Sequence, residues 1–88
     1  MAAFHAVYYR EASGGEPVLE YLDALDDEVA AVLSQQIDRL NLLSDETPHL
    51  PFPHTSQVDG ELRELRCHYG RQLHRVLYRR SDRLLVLL

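Results

Sequence analysis

Lysine is absent from this chain of 88 residues, cysteine occurs once, and no apolar run is long enough to span a membrane. Each absence excludes something. Without lysine, every cationic side-chain contact falls to arginine or histidine, although a GC-rich genome would also favour arginine codons. A lone Cys67 rules out an internal disulfide and makes a reducing cytoplasm the simplest compartment. A membrane helix needs about 20 consecutive apolar residues, so no membrane partner is expected. The opening MAAFHAVYYRE carries neither the charged leader nor the apolar block of a secretory signal. Five histidines are present, but their spacing fits no common zinc pattern, so no metal or other cofactor is expected.

The charge that is present is divided along the chain. Residues 1–60 hold two basic side chains (Arg10, Arg39) and eleven acidic ones, a net of −9; residues 61–88 hold seven basic and three acidic, a net of +4. A net charge of −5 therefore conceals a basic segment that could grip phosphates. Its arginines, Arg63, Arg66, Arg71, Arg75, Arg79, Arg80 and Arg83, are interleaved with Leu, Val and Tyr in the alternation of strands, which would set guanidinium groups on a sheet surface.

Hydrophobic periodicity predicts one small α+β domain over residues 1–88. A first strand covers 3–9, with Phe4, Ala6 and Tyr8 on one face. Ser13, Gly14 and Gly15 break it, and Pro17 opens a short helix with Val18, Leu19, Leu22 and Leu25 as its stripe. Asp26 or Asp27 is expected to cap a second helix bearing Val29, Val32, Leu33, Gln36, Ile37, Leu40 and Leu43. Prolines 48, 51 and 53 predict a loop over 44–60. Strands over 62–69, 72–79 and 83–88 then form an antiparallel meander with turns at Gly70-Arg71 and Ser81-Asp82, and the helical hairpin covers one side of it. In 62–69, Leu62, Glu64, Arg66 and His68 face one way; Arg63, Leu65, Cys67 and Tyr69 face the other. The chain stops within the apolar LLVLL, so a shortened C-terminus is expected, with dimerisation or pairing through the last strand as a consequence.

Several features have bland readings. A charged strand residue is most simply solvated, and Glu64 beside Arg66 most simply forms an ion pair. Cys67 and Tyr78 read as core residues. A Cys67/His74 nucleophilic pair lacks an orienting third group in sequence, and His49 and His54 read as loop histidines.

The order of short motifs from Pro51 onward resembles the phage-derived, HigB-like branch of the RelE toxin superfamily. Those motifs are Pro53 in a P-x-S-like loop, Asp59-Gly60, Glu64-Leu65-Arg66, Arg75-Val76-Leu77-Tyr78 and the apolar run 84–88, and the helical hairpin upstream is similar. The resemblance implies a toxin of a toxin–antitoxin pair, neutralised by a cognate antitoxin of helix-turn-helix type, that cuts mRNA on the ribosome without a metal. It assigns Arg75 to the transition-state phosphate and Arg66 to orienting the scissile phosphate; Arg63, Arg71, Arg79 and His68 of the basic strand segment are expected as further RNA contacts. Two departures stand out. Thr55, Ser56 and Gln57 replace the lysines usual before Asp-Gly, and the chain ends before the family's basic, His/Lys-rich tail. An inactive module that binds an antitoxin or the ribosome is therefore the alternative, and a structural role through protein contacts a third reading.

Overall fold

The computed structural model describes residues 3–50 and 54–88, so the motif prolines Pro51 and Pro53 lie outside the described residues. The chain runs β1 (His5–Tyr8), α1 (Pro17–Asp23), α2 (Asp27–Leu40), β2 (Thr55–Asp59), β3 (Leu62–Tyr69), β4 (Gln72–Ser81) and β5 (Leu84–Leu87). The strands form one sheet in the order β1-β5-β4-β3-β2. Strands β2 to β5 are antiparallel neighbours, while β1 runs parallel to β5, with His5 opposite Leu84 and Tyr8 opposite Leu87. The α+β architecture follows the sequence reading, with both helices on one face of the sheet.

Alternation decides which side chains meet the helices. Leu65 and Cys67 of β3, Val76 and Tyr78 of β4, and Leu85 and Leu87 of β5 are all buried on that inner face. Val18 and Leu22 of α1 and Val29, Leu33, Ile37 and Leu40 of α2 close over them, with Phe4, Leu43 and Leu50 filling the margin. Val32 and Gln36 sit at the edge of the α2 stripe and are half-buried. Fully burying a side chain such as Leu33 contributes about 1.5–3 kcal/mol, which makes this face the source of the fold's stability.

Three two-residue turns set the register of the meander. Their first residues are Gly60, Gly70 and Asp82, all with positive φ near +55 to +58°. Glycine accepts that conformation without a Cβ clash, and aspartate is among the side chains that tolerate it. The last turn is Asp82-Arg83, one residue later than expected, because β4 continues to Ser81 opposite Leu84.

Three expectations need correction. The last strand offers no open edge for pairing with another chain, because β5 is hydrogen-bonded to β1 on one side and β4 on the other. Residues 44–60 are not all loop: once past Pro53 the chain can donate hydrogen bonds again, and Thr55–Asp59 pairs with β3 as an edge strand. Its register slips between Gln57 and Asp59, leaving Val58 as the extra, exposed residue of a bulge. At the start of α2, Asp26 occupies the capping position but its side chain makes no capping hydrogen bond. Asp27 and Glu28 in the first turn instead complement the helix dipole.

Candidate nucleic-acid interface

The outer face of the sheet, away from both helices, gathers the basic side chains of β3 and β4. Arg66 and Arg75 are direct cross-strand partners, and Glu64 stands two residues before Arg66 on the same face. Like charges placed opposite one another repel. Here one carboxylate answers both: Glu64 Oε1 lies 3.7 Å from Arg66 Nε and 3.7 Å from Arg75 Nε. Glu64 and Arg66 are largely covered, whereas the Arg75 side chain is 59% exposed. Of the pair, Arg75 is therefore the more open to a ligand, and Arg66 the one held in place. The Arg66 backbone N–H also donates to the His54 carbonyl at 2.7 Å, which extends the β2–β3 pairing past Thr55.

His68 follows Arg66 on the same face, opposite Leu73. Arg79 lies four residues beyond Arg75 along β4, between Leu62 and Val86, and is exposed. The face is not uniformly charged: Leu77, Leu84 and Leu88 are 39%, 41% and 42% exposed, and Leu62, Arg79 and Leu88 line one shallow depression. Such a surface can hold phosphate oxygens on planar guanidinium forks and lay bases or apolar groups between them.

Two of the sequence-predicted contacts lie elsewhere. Arg71 occupies the exposed turn between β3 and β4. Arg63 points to the inner face with Leu65, where it donates to Thr55 Oγ1 at 3.0 Å. Thr55, itself buried, donates to the Leu50 carbonyl at 2.6 Å. Arg63 thus braces the edge strand against the loop that precedes it.

A scan against protein-family models matches residues 20–88 to the phage-derived Gp49-like proteins, a domain of unknown function. The chain belongs to that family. No curated protein and no solved structure matches it. The match spans α1 from Glu20 onward, α2 and strands β2 to β5, so it includes every residue of the Arg66–Arg75 cluster.

Other polar groups resolve plainly. Cys67 is fully buried opposite His74, and burial pushes its thiol up to about 11, so no thiolate is on hand near neutral pH. His74 Nε2 faces the Gln72 side-chain oxygen at 2.9 Å, which places the proton there and leaves Nδ1 to accept from the Tyr21 hydroxyl. Tyr78 is buried, as its place on the strand predicted. Tyr69 donates to Glu28 at 2.6 Å, tying β3 to the start of α2, and that bond with the carboxylate's charge raises its pKa. Among the described residues no three His, Cys, Asp or Glu side chains are grouped as a metal site would need, and no helix is long and apolar enough to cross a membrane.

Sequence reasoning missed a second cationic cluster. Arg83 makes a bidentate pair with Asp45, 2.8 Å for each bond, and Arg80 reaches the same carboxylate at 3.8 Å. Both guanidinium groups also lie over the Phe4 ring, at 4.5 Å for Arg80 and 5.3 Å for Arg83. No local pattern marks these contacts, because each joins β4 or the turn after it to a residue far back in the chain.

Proposed function

We propose that this protein is the toxin of a toxin–antitoxin pair, a RelE/HigB-like endoribonuclease acting on mRNA at the ribosome. One observation carries the reading: Arg66 and Arg75 sit side by side on the sheet face that the helices leave open, sharing the single carboxylate of Glu64. Membership in a phage-derived family agrees with it.

In the proposed reaction the ribose 2′-OH attacks the adjacent phosphorus, the bond to the 5′ oxygen breaks, and a 2′,3′-cyclic phosphate and a 5′-OH result. Negative charge grows on the non-bridging oxygens as the fifth bond forms. Arg75, exposed and always protonated, would meet that charge bidentately, and Arg66 would hold the phosphate in line. Preorganisation matters here. Glu64 limits where both guanidinium groups can point before RNA arrives, so little reorganisation remains for the transition state. The 2′-OH proton must leave and the 5′ oxygen must gain one; Glu64 and His68 are the ionisable neighbours of the arginine pair on its own strand face.

A second reading has its own support. Glu64 is already engaged as the counter-ion of two guanidinium groups, so a module that binds antitoxin or ribosome without cleaving is the rival. Expressing this chain beside its Arg75→Ala variant and mapping mRNA ends separates the two. The enzyme reading expects cuts within translated messages that fall by about 10²-fold or more in the variant, the scale of losing one transition-state donor. Ribosome association without cuts in either protein would leave the binding module.

A further inference from the structure

A cleft of about 530 Å³ opens on the helix side of the sheet, away from Arg66 and Arg75. It lies where the loop after α2 passes the turn between β2 and β3. Its chemistry is divided. Phe4, Pro48 and Leu85 supply apolar walls; Arg63, Arg80, His49 and Gln57 supply donors. That volume falls within the range of small-molecule sites, which are mostly apolar with a few convergent polar groups.

The two arginines reach the cleft from different strands and are held independently of it. Arg63 donates through Nη2 to Thr55, and its buried Nε has no hydrogen-bond partner among the described residues. Arg80 is steadied by the Phe4 ring and by its Nε bond of 2.9 Å to the Asp82 carbonyl. Both retain terminal N–H groups for a ligand. Glu61 also lines the cleft, and Asp45 draws on Arg80 and Arg83, so the cleft arginines are set among acidic neighbours. Their field is felt within it: burial first, then Arg63 and Arg80, hold the His49 imidazole below its ordinary pKa.

We propose that this cleft binds a phosphorylated molecule of nucleotide size, its phosphate held by Arg63 and Arg80 and its apolar part seated against Phe4, Pro48 and Leu85. The size and divided chemistry favour an organic phosphate over inorganic phosphate alone, since the latter would leave the apolar walls empty. The phosphate could belong to a free nucleotide or to the 5′ end of an RNA. This inference concerns a different face from the proposed RNA-cleaving site and stands whether or not that site is catalytic.

The test is a titration of the isotopically labelled chain, followed by NMR, with uridine, uridine 5′-monophosphate, inorganic phosphate, and a trinucleotide carrying either a 5′-phosphate or a 5′-hydroxyl. The monophosphate should shift the His49, Gln57 and Gly60 signals and bind more tightly than phosphate, while uridine should bind at least about tenfold more weakly, as expected for losing charge-assisted hydrogen bonds. A 5′-phosphorylated trinucleotide that outbinds the monophosphate would identify an RNA end as the source; equal or weaker binding would identify the free nucleotide. Arg80→Gln should weaken the monophosphate's effect on the His49 and Gln57 signals about tenfold or more, and Arg75→Ala should leave the titration of those cleft signals unchanged. Because Arg80 also packs on Phe4, His49→Ala and Gln57→Ala serve as variants outside the core, each expected to weaken binding severalfold. Equal affinity for uridine and its monophosphate, no shift at His49 and Gln57, or loss of binding in Arg75→Ala with Arg80→Gln intact would each overturn the proposal.

Discussion

The two faces of one sheet divide the work of this molecule. Leu65 and Leu77 are near neighbours on adjacent strands, yet Leu65 is wholly buried beneath α2 and Leu77 is 39% exposed beside the arginines. The inner face holds the chain folded and admits few polar groups. On β3 and β4 the outer face carries three arginines, a histidine and an acid among leucines that no described helix covers. Stability and the capacity to bind anions are thus separable by side-chain parity, because neighbouring residues of a strand point to opposite faces.

The largest expected effect tests that separation directly. Leu65→Ala removes a fully packed side chain and should cost about 2–5 kcal/mol, while Leu77→Ala should stay within about 0.5 kcal/mol. Urea unfolding of both variants measures it. A Leu77→Ala loss as large as that of Leu65→Ala would mean that the outer face is covered in solution and is not an open surface.

Next in size is Glu64→Gln, which should move stability and binding in opposite directions. Removing the carboxylate takes away the counter-charge that Arg66 and Arg75 share, a loss of about 1 kcal/mol for a partly covered pair of contacts. The same change raises the local positive potential around both guanidinium groups, so affinity for a short single-stranded RNA should increase and its salt dependence steepen. Binding measured at two salt concentrations, beside a urea melt, reads both. If affinity falls, Glu64 acts on the RNA itself and not as a tether for the arginines.

Much of this division was legible in the sequence. The alternation in 62–69 assigned the two faces of β3 correctly, and the spacing of Arg75 and Tyr78 sent one outward and the other into the core. What escaped has physical causes. Strand β2 has a single large apolar residue, Val58, and that residue sits in the bulge; an edge strand paired on one side needs no more, and a polar edge discourages association. The parallel pairing of β1 with β5 joins the two ends of the chain, which no local signal announces. Arg63 belonged by parity with Leu65, and the structure keeps it there, apart from Arg66. Arg80 and Arg83 read as two more strand charges; their common contacts with Asp45 and Phe4 depend on how the loop after α2 returns to the sheet.

That return supplies the smallest effect, at the rim of the inner face. The hydrogen bonds from Arg83, aided by the charges of Arg83 and Arg80, hold the Asp45 carboxyl below the usual carboxylate range. Arg83 is correspondingly raised and stays charged throughout. A carboxyl whose pKa is depressed on folding adds stability above its unfolded pKa of about 3.9 and loses it as pH falls through the folded value. The Asp45–Arg83 contribution should therefore be constant from neutral pH down to about pH 5, then fade below about pH 4. Both side chains are well exposed, so solvent and salt keep the effect modest. Comparing urea midpoints of the chain and its Asp45→Asn variant from pH 7 to pH 3 measures it: the small gap at pH 7 should close in acid. A gap that persists undiminished at pH 3 would mean that Asp45 stabilises the loop through its shape and neutral hydrogen bonds, not through its charge.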